Sequence, residues 1–262
     1  MRKTFVGTTL AVALLLLYTP RAEAGALLAI STGGVFSVSC DNTLAIGPTN
    51  CNAAAGFVTA PNSSTITFTG PITGYSVGSI SVTGNQPGNP MAGNVLDVKF
   101  AISHISGVDD LTVDFGGSQF TQPVGPGLFL SAADSGSFGQ SAATDVLNFQ
   151  AWGRATNDLI VPGGTATAIS PPCIPGSGLT TSCSTVTADV PFNRGAGPYA
   201  LTGREVLHLA LGELPATVNA TIAANAQPST LVPEPTSLLL FGTGLMGLAA
   251  RARRRMRKGS VS

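Results

Sequence analysis

Residues 25–223 predict an all-β fold, a β-sandwich or jelly roll of about nine short antiparallel strands. Three observations lead there. The segment is rich in Gly, Thr, Ser, Val and Ala and poor in Lys and Glu, a balance that opposes helix and suits strands joined by tight turns. Apolar residues recur with period two in many short stretches, as in a strand with one buried face. Those stretches are separated by Gly, Pro, Asn and Asp, the residues of turns. The periodicity also argues against intrinsic disorder.

Taken in order, residues 64–70 alternate Thr65, Thr67 and Thr69 with Ile66 and Phe68. Residues 75–83 are the next candidate. Residues 95–106, VLDVKFAISHIS, read as a strand with Leu96, Val98, Phe100 and Ile102 inward and Asp97, Lys99 and Ser103 outward. The following stretch turns Leu111, Val113 and Phe115 inward. GVDD between the two reads as a turn, so residues 95–115 are expected to form a hairpin. Further strands are expected at 126–131, 145–155, 185–192, 204–211 and 216–223. In 145–155, Leu147, Phe149 and Ala151 share a face. Residues 203–214 are ambiguous between helix and strand, and the alternation of Leu207, Leu209 and Leu211 favours a strand. Residues 224–232 read as a polar linker.

The formal net charge of zero conceals a segregation. Nine of the 13 basic residues lie in the first 24 positions or in 251–258. Residues 25–232 keep Lys99, Arg154, Arg194 and Arg204 against eleven acids, a net charge of −7. Such a domain would bind neither nucleic acid through counterion release nor anionic lipid. Four cysteines form two close pairs, Cys40 with Cys51 and Cys173 with Cys183. In an exported chain an even number implies disulfides, for which three connectivities are possible. The close pairs are preferred, because each would close a loop containing Gly and Pro. A metal site is the alternative, but His104 and His208 lie near neither pair in sequence. No cofactor or metal is expected.

Both ends direct the chain to a membrane. Arg2 and Lys3 precede an apolar run at 6–18, and Ala22-Glu23-Ala24 fits the small-x-small cleavage rule. Residues 1–24 therefore read as a signal peptide, engaging the export machinery. Near the other end, Pro233-Glu234-Pro235 can continue neither a helix nor a strand. Residues 236–250 carry no charge and as a helix would span about 22 Å, short of a hydrocarbon core of about 30 Å. This single transmembrane helix is followed by Arg251, Arg253, Arg254, Arg255, Arg257 and Lys258. A polybasic end stays in the cytoplasm, so the domain lies outside.

The order of parts in 231–258, a Pro-Glu-Pro at 233–235, a glycine-containing apolar helix and an arginine cluster, resembles a PEP-CTERM sorting signal. The resemblance implies recognition by an exosortase, a membrane-embedded transpeptidase-like enzyme, with cleavage near the motif. Delivery to the cell surface or extracellular matrix would follow. It covers only about residues 231–258, within a sorting segment taken as 233–262, and carries sorting only, not a fold or an activity for the domain ahead of it. The short helix suits a span that holds the chain only until processing.

Within the domain, residues 74–78 match G-x-S-x-G around Ser76, but a nucleophile elbow needs a following helix and more strand follows here. His104 and His208 have apolar neighbours and read as satisfied histidines rather than bases. Asp109, Asp110 and Asp114 form a candidate Ca²⁺ cluster, with turn acids the plainer reading. Tyr75, Phe149 and Trp152 form a candidate sugar-binding face, with core packing preferred. The expectation is a non-enzymatic structural or adhesive protein of the surface or exopolysaccharide matrix. The alternatives are a carbohydrate-binding module and, less favoured, a hydrolase using Ser76.

Overall fold

Period-two patterning builds strands, and the described residues contain no helix. The structure, a computed structural model, describes residues 24–42, 51, 56–60, 63–107, 110–125 and 127–226. The sorting segment, its helix and basic tail, and the signal peptide up to Glu23 lie outside the described residues. The strands are β1 (Gly25–Thr32), β2 (Val35–Asp41), β3 (Phe57–Thr59), β4 (Thr65–Phe68), β5 (Tyr75–Gly84), β6 (Ala92–His104) and β7 (Leu111–Phe120). They continue with β8 (Gly127–Ser141), β9 (Val146–Arg154), β10 (Thr165–Ala166), β11 (Gly178–Val186), β12 (Val190–Asn193), β13 (Tyr199–His208) and β14 (Ala216–Ala226). Among the described residues the count is fourteen, not about nine. Two of the additions, β1 and β2, form a hairpin around Gly33-Gly34, whose φ values of 57° and 77° meet the demand of a two-residue turn for left-handed backbone. The stretch expected at 185–192 is divided between β11 and β12, and β14 runs three residues into the expected linker.

The strands form two antiparallel sheets. One has the order β10-β9-β13-β7-β1-β2, the other β11-β8-β14-β6-β5-β4-β3, with β12 also paired to β8. Their inner faces share one core. Leu28, Ile30, Val113, Phe115, Leu147, Phe149 and Leu207 come from the first sheet, and Ile66, Phe68, Ile80, Val82, Leu130, Val218 and Ile222 from the second. Burying one such side chain is worth about 1.5–3 kcal/mol. The core also explains Gly203 on β13, where a Cβ would come within 3.0 Å of Phe149, Ile222 and Phe115.

Two expectations for residues 95–115 are corrected. β6 and β7 are not a hairpin, because they belong to opposite sheets. The facing of β6 is also reversed over its first half. Asp97 and Lys99 are buried, while Leu96 and Phe100 are 40 % and 59 % exposed. The cause is a bulge. Ala101 has φ 54°, and the register with β14 shifts by one residue between Lys99 and Ile102. The extra residue lets Val95 and Ile102 both face the core, which regular alternation forbids. Leu111, Val113 and Phe115 face inward as expected, as do Leu147, Phe149 and Ala151.

Disulfides Cys40–Cys51 and Cys173–Cys183 are formed. Cys40 lies on β2, the edge of the first sheet, and Cys51 precedes β3, the edge of the second on the same side. On the other side Cys173 bridges to Leu147 of β9, and Cys183 lies on the edge strand β11. One covalent clip therefore closes each flank of the sandwich.

Candidate functional site

The reversed facing of β6 places charge inside the core. Asp97 and Lys99, two residues apart, share the inner face of one sheet, and β13 carries Glu205 toward them from the other. All three side chains are 0 % exposed. Lys99 Nζ donates to Asp97 Oδ2 and to Glu205 Oε2. It also lies 5.8 Å from the centroid of Phe115, which stacks on Phe149. Asp134 on β8 completes the cluster. Asp97 and Asp134 are the register partners of Ala220 from its two sides, and so small a residue separates the two carboxyl groups on β14. Asp134 accepts from Thr185 Oγ1.

Three buried carboxyl groups thus surround one ammonium. Asp97 Oδ1, Asp134 Oδ2 and Glu205 Oε1 have no hydrogen-bond partner among the described residues. Burying an ion costs several kcal/mol unless it is fully paired, and one cation cannot pair three anions. Burial pushes the Glu205 carboxyl up to about 7, against the opposing pull of Lys99. Burial raises Asp97 and Asp134 as well, opposed by Lys99 at the first and by the Thr185 hydroxyl at the second. For Lys99 burial works against the charge, and the carboxylates of Asp97 and Glu205 outweigh it and keep the ammonium protonated. With its carboxyl raised to about 7, Glu205 readily takes the acid form beside the Lys99 ammonium, in an apolar setting. A trace of it is legible in the chain. Lys99 is the sole lysine of 25–232, and Glu205 has the strand parity of Leu207 and Leu209.

The other candidates are dispersed. Ser76 lies within β5 with no helix after it. His104 stacks on Tyr75, with Nδ1 2.7 Å from the Leu209 carbonyl oxygen and Nε2 3.0 Å from that of Ser106. Asp110 lies 2.7 Å from His208 Nδ1, and Asp114 accepts both Nε and Nη2 of Arg204 at 2.7 Å. Asp109 lies outside the described residues. Tyr75, Phe149 and Trp152 are buried and form no exposed aromatic face. Arg154 pairs with Asp158, and Arg194 donates to the Thr121 and Pro123 carbonyls, so all four domain cations serve internal contacts. Ala24 directly precedes β1. Ala22, Pro233, Glu234, Pro235 and the basic tail lie outside the described residues.

Residues 231–255 match the family model of the PEP-CTERM protein-sorting motif. The chain carries a PEP-CTERM sorting signal. It is accordingly an exported protein, made as a membrane-anchored precursor and processed by an exosortase for the cell surface. The PEP-CTERM match covers the end of the chain. A search of curated proteins finds no match. Among solved structures, the cleaved adhesin domain of Lys-gingipain from Porphyromonas gingivalis is similar at 13 % identity. The match covers 66 % of this chain and 95 % of that one, with a TM-score of 0.31.

Proposed function

We propose that the β domain is a non-enzymatic structural or adhesive component of the cell surface or exopolysaccharide matrix, delivered there by removal of the sorting segment. The PEP-CTERM motif carries this reading. The construction of the domain supports it. Both flanks are clipped by disulfides, and the domain's cations are spent on internal contacts. The carbohydrate-binding alternative loses its aromatic face, because Tyr75, Phe149 and Trp152 pack inward. The hydrolase alternative loses its elbow, because Ser76 stands inside a strand.

The test is the intact mass and location of the protein in cells with and without exosortase activity. The expected product lacks the residues after about the Pro-Glu-Pro only when the enzyme is present, and it sediments with the exopolysaccharide. A mass retaining 236–262 in both strains would mark a permanent anchor. A processed product that remains free in the medium would remove the matrix role.

A further inference from the structure

The interior charge cluster belongs to the β domain, outside the matched sorting motif, and a buried ion pair is a poor way to stabilise a core. Its geometry suits chemistry instead. Lys99 Nζ touches carboxyl groups from both sheets, and all three side chains are excluded from water. A third carboxyl, Asp134, adds negative charge that opposes ionisation of its neighbours. In water an amine and a carboxylic acid do not condense, because both ionise and solvent is in excess. Here burial excludes the solvent and favours the acid form of Glu205, the Asp97 carboxylate beside Lys99 can take the ammonium proton, and fixed contact replaces a bimolecular encounter with an effectively unimolecular one.

We propose that Lys99 and Glu205 condense spontaneously into an isopeptide bond that covalently joins the two sheets through the core, with Asp97 as the proton carrier. Asp97 accepts a proton from the Lys99 ammonium. The freed Nζ attacks Cδ of Glu205 in its carboxylic acid form, and the new C–N bond forms as the hydroxyl leaves. That hydroxyl departs as water, taking the second proton from nitrogen through Asp97. The product is a secondary amide, one water and a protonated Asp97. Charge is zero before and after, and no oxidant or leaving group is needed beyond water. The reaction leaves no ion in the cluster formed by these three groups, so the cost of burying the pair is removed. Glu205 is the acyl donor rather than Asp97, because it approaches from the opposite sheet, and burial raises it to about 7, so that its acid form is well populated near neutral pH. Asp97 lies on the same strand as Lys99 and is held at its side.

The inference does not depend on where the protein is delivered. The test uses the mature protein recovered from cells, reduced and alkylated. Its intact mass should fall below that of its sequence by one water. Trypsin should fail to cut after Lys99, and the peptide ending at Arg154 should be found joined to the peptide starting at Glu205. In Lys99→Arg, which keeps the charge but cannot form this link, the full mass should return. In Asp97→Asn the deficit should be slowed or lost. A wild-type protein of full mass, cut normally after Lys99, overturns the proposal, and that result needs no variant to fold. A deficit that maps to Asp97 and Lys99 within one peptide, or that persists in Lys99→Arg, also overturns it.

Discussion

Asp134 is where a single residue sets a pH dependence. Its carboxyl is buried and raised, with the Thr185 hydroxyl donating to it and Asp97 facing it across Ala220. A raised acid holds its proton in the folded state after the unfolded chain has released it. Its stabilising contribution is therefore complete below the unfolded value of about 4 and is lost as pH rises through the folded value. The melting temperature of the wild type should fall as pH rises above about 4. Asp134→Asn keeps an acceptor for Thr185 and removes the charge, so its melting temperature should fall less and should match or exceed the wild type at neutral pH. A variant with an unchanged slope would show that Asp134 titrates normally. Asp97 and Glu205 contribute in the same sense, and formation of the amide removes Glu205 from the titration.

At the scale of the element, the bulge of β6 determines what the core contains. Ala101 adopts left-handed backbone, which costs a residue with a side chain roughly 1–2 kcal/mol. Ala101→Gly relieves that strain but loosens the unfolded chain, so a net gain of about 1 kcal/mol or less is expected in urea unfolding. Deleting Ala101 should be far worse. With the bulge gone, either Asp97 and Lys99 or Ile102 and His104 must leave the inner face, and soluble folded protein should not be recovered. Destabilisation by the glycine variant would show that the left-handed turn is not the strained point. The same bulge explains why regular alternation misread this strand. Ile102 is correctly inward, and counting back by twos from it turns Leu96, Val98 and Phe100 inward too.

Over the whole molecule, the two disulfides act at opposite flanks of one sandwich. Their sequence separations of 11 and 10 make each loop short, and a bond of that kind typically contributes about 2–4 kcal/mol. Reduction should lower the melting temperature. Replacing each pair separately by alanine should give losses that add in the double variant to within about 0.5 kcal/mol, because the sites share no partners. An unchanged melting temperature under reductant would remove the clips from the stability of the fold. A strong non-additivity would show that the flanks communicate through the sheets.

The chain by itself determined the class of fold, the alternation of Leu111, Val113 and Phe115, the inward face of β9 and the sorting signal. Each of these is written locally, in a period of two or in a short order of residue types. Gly33-Gly34 between apolar runs is also a local signal, although the strands β1 and β2 that flank it were not among those expected. Tertiary structure alone decided which sheet each strand joins, because hydrogen-bond partners come from distant positions. It separated β6 from β7 and brought Glu205 to Lys99 across 106 positions of sequence. It also turned Asp97 and Lys99 inward, against their polarity. Local pattern weighs each side chain alone, whereas a buried charge is tolerated only when its partners arrive from elsewhere in the fold.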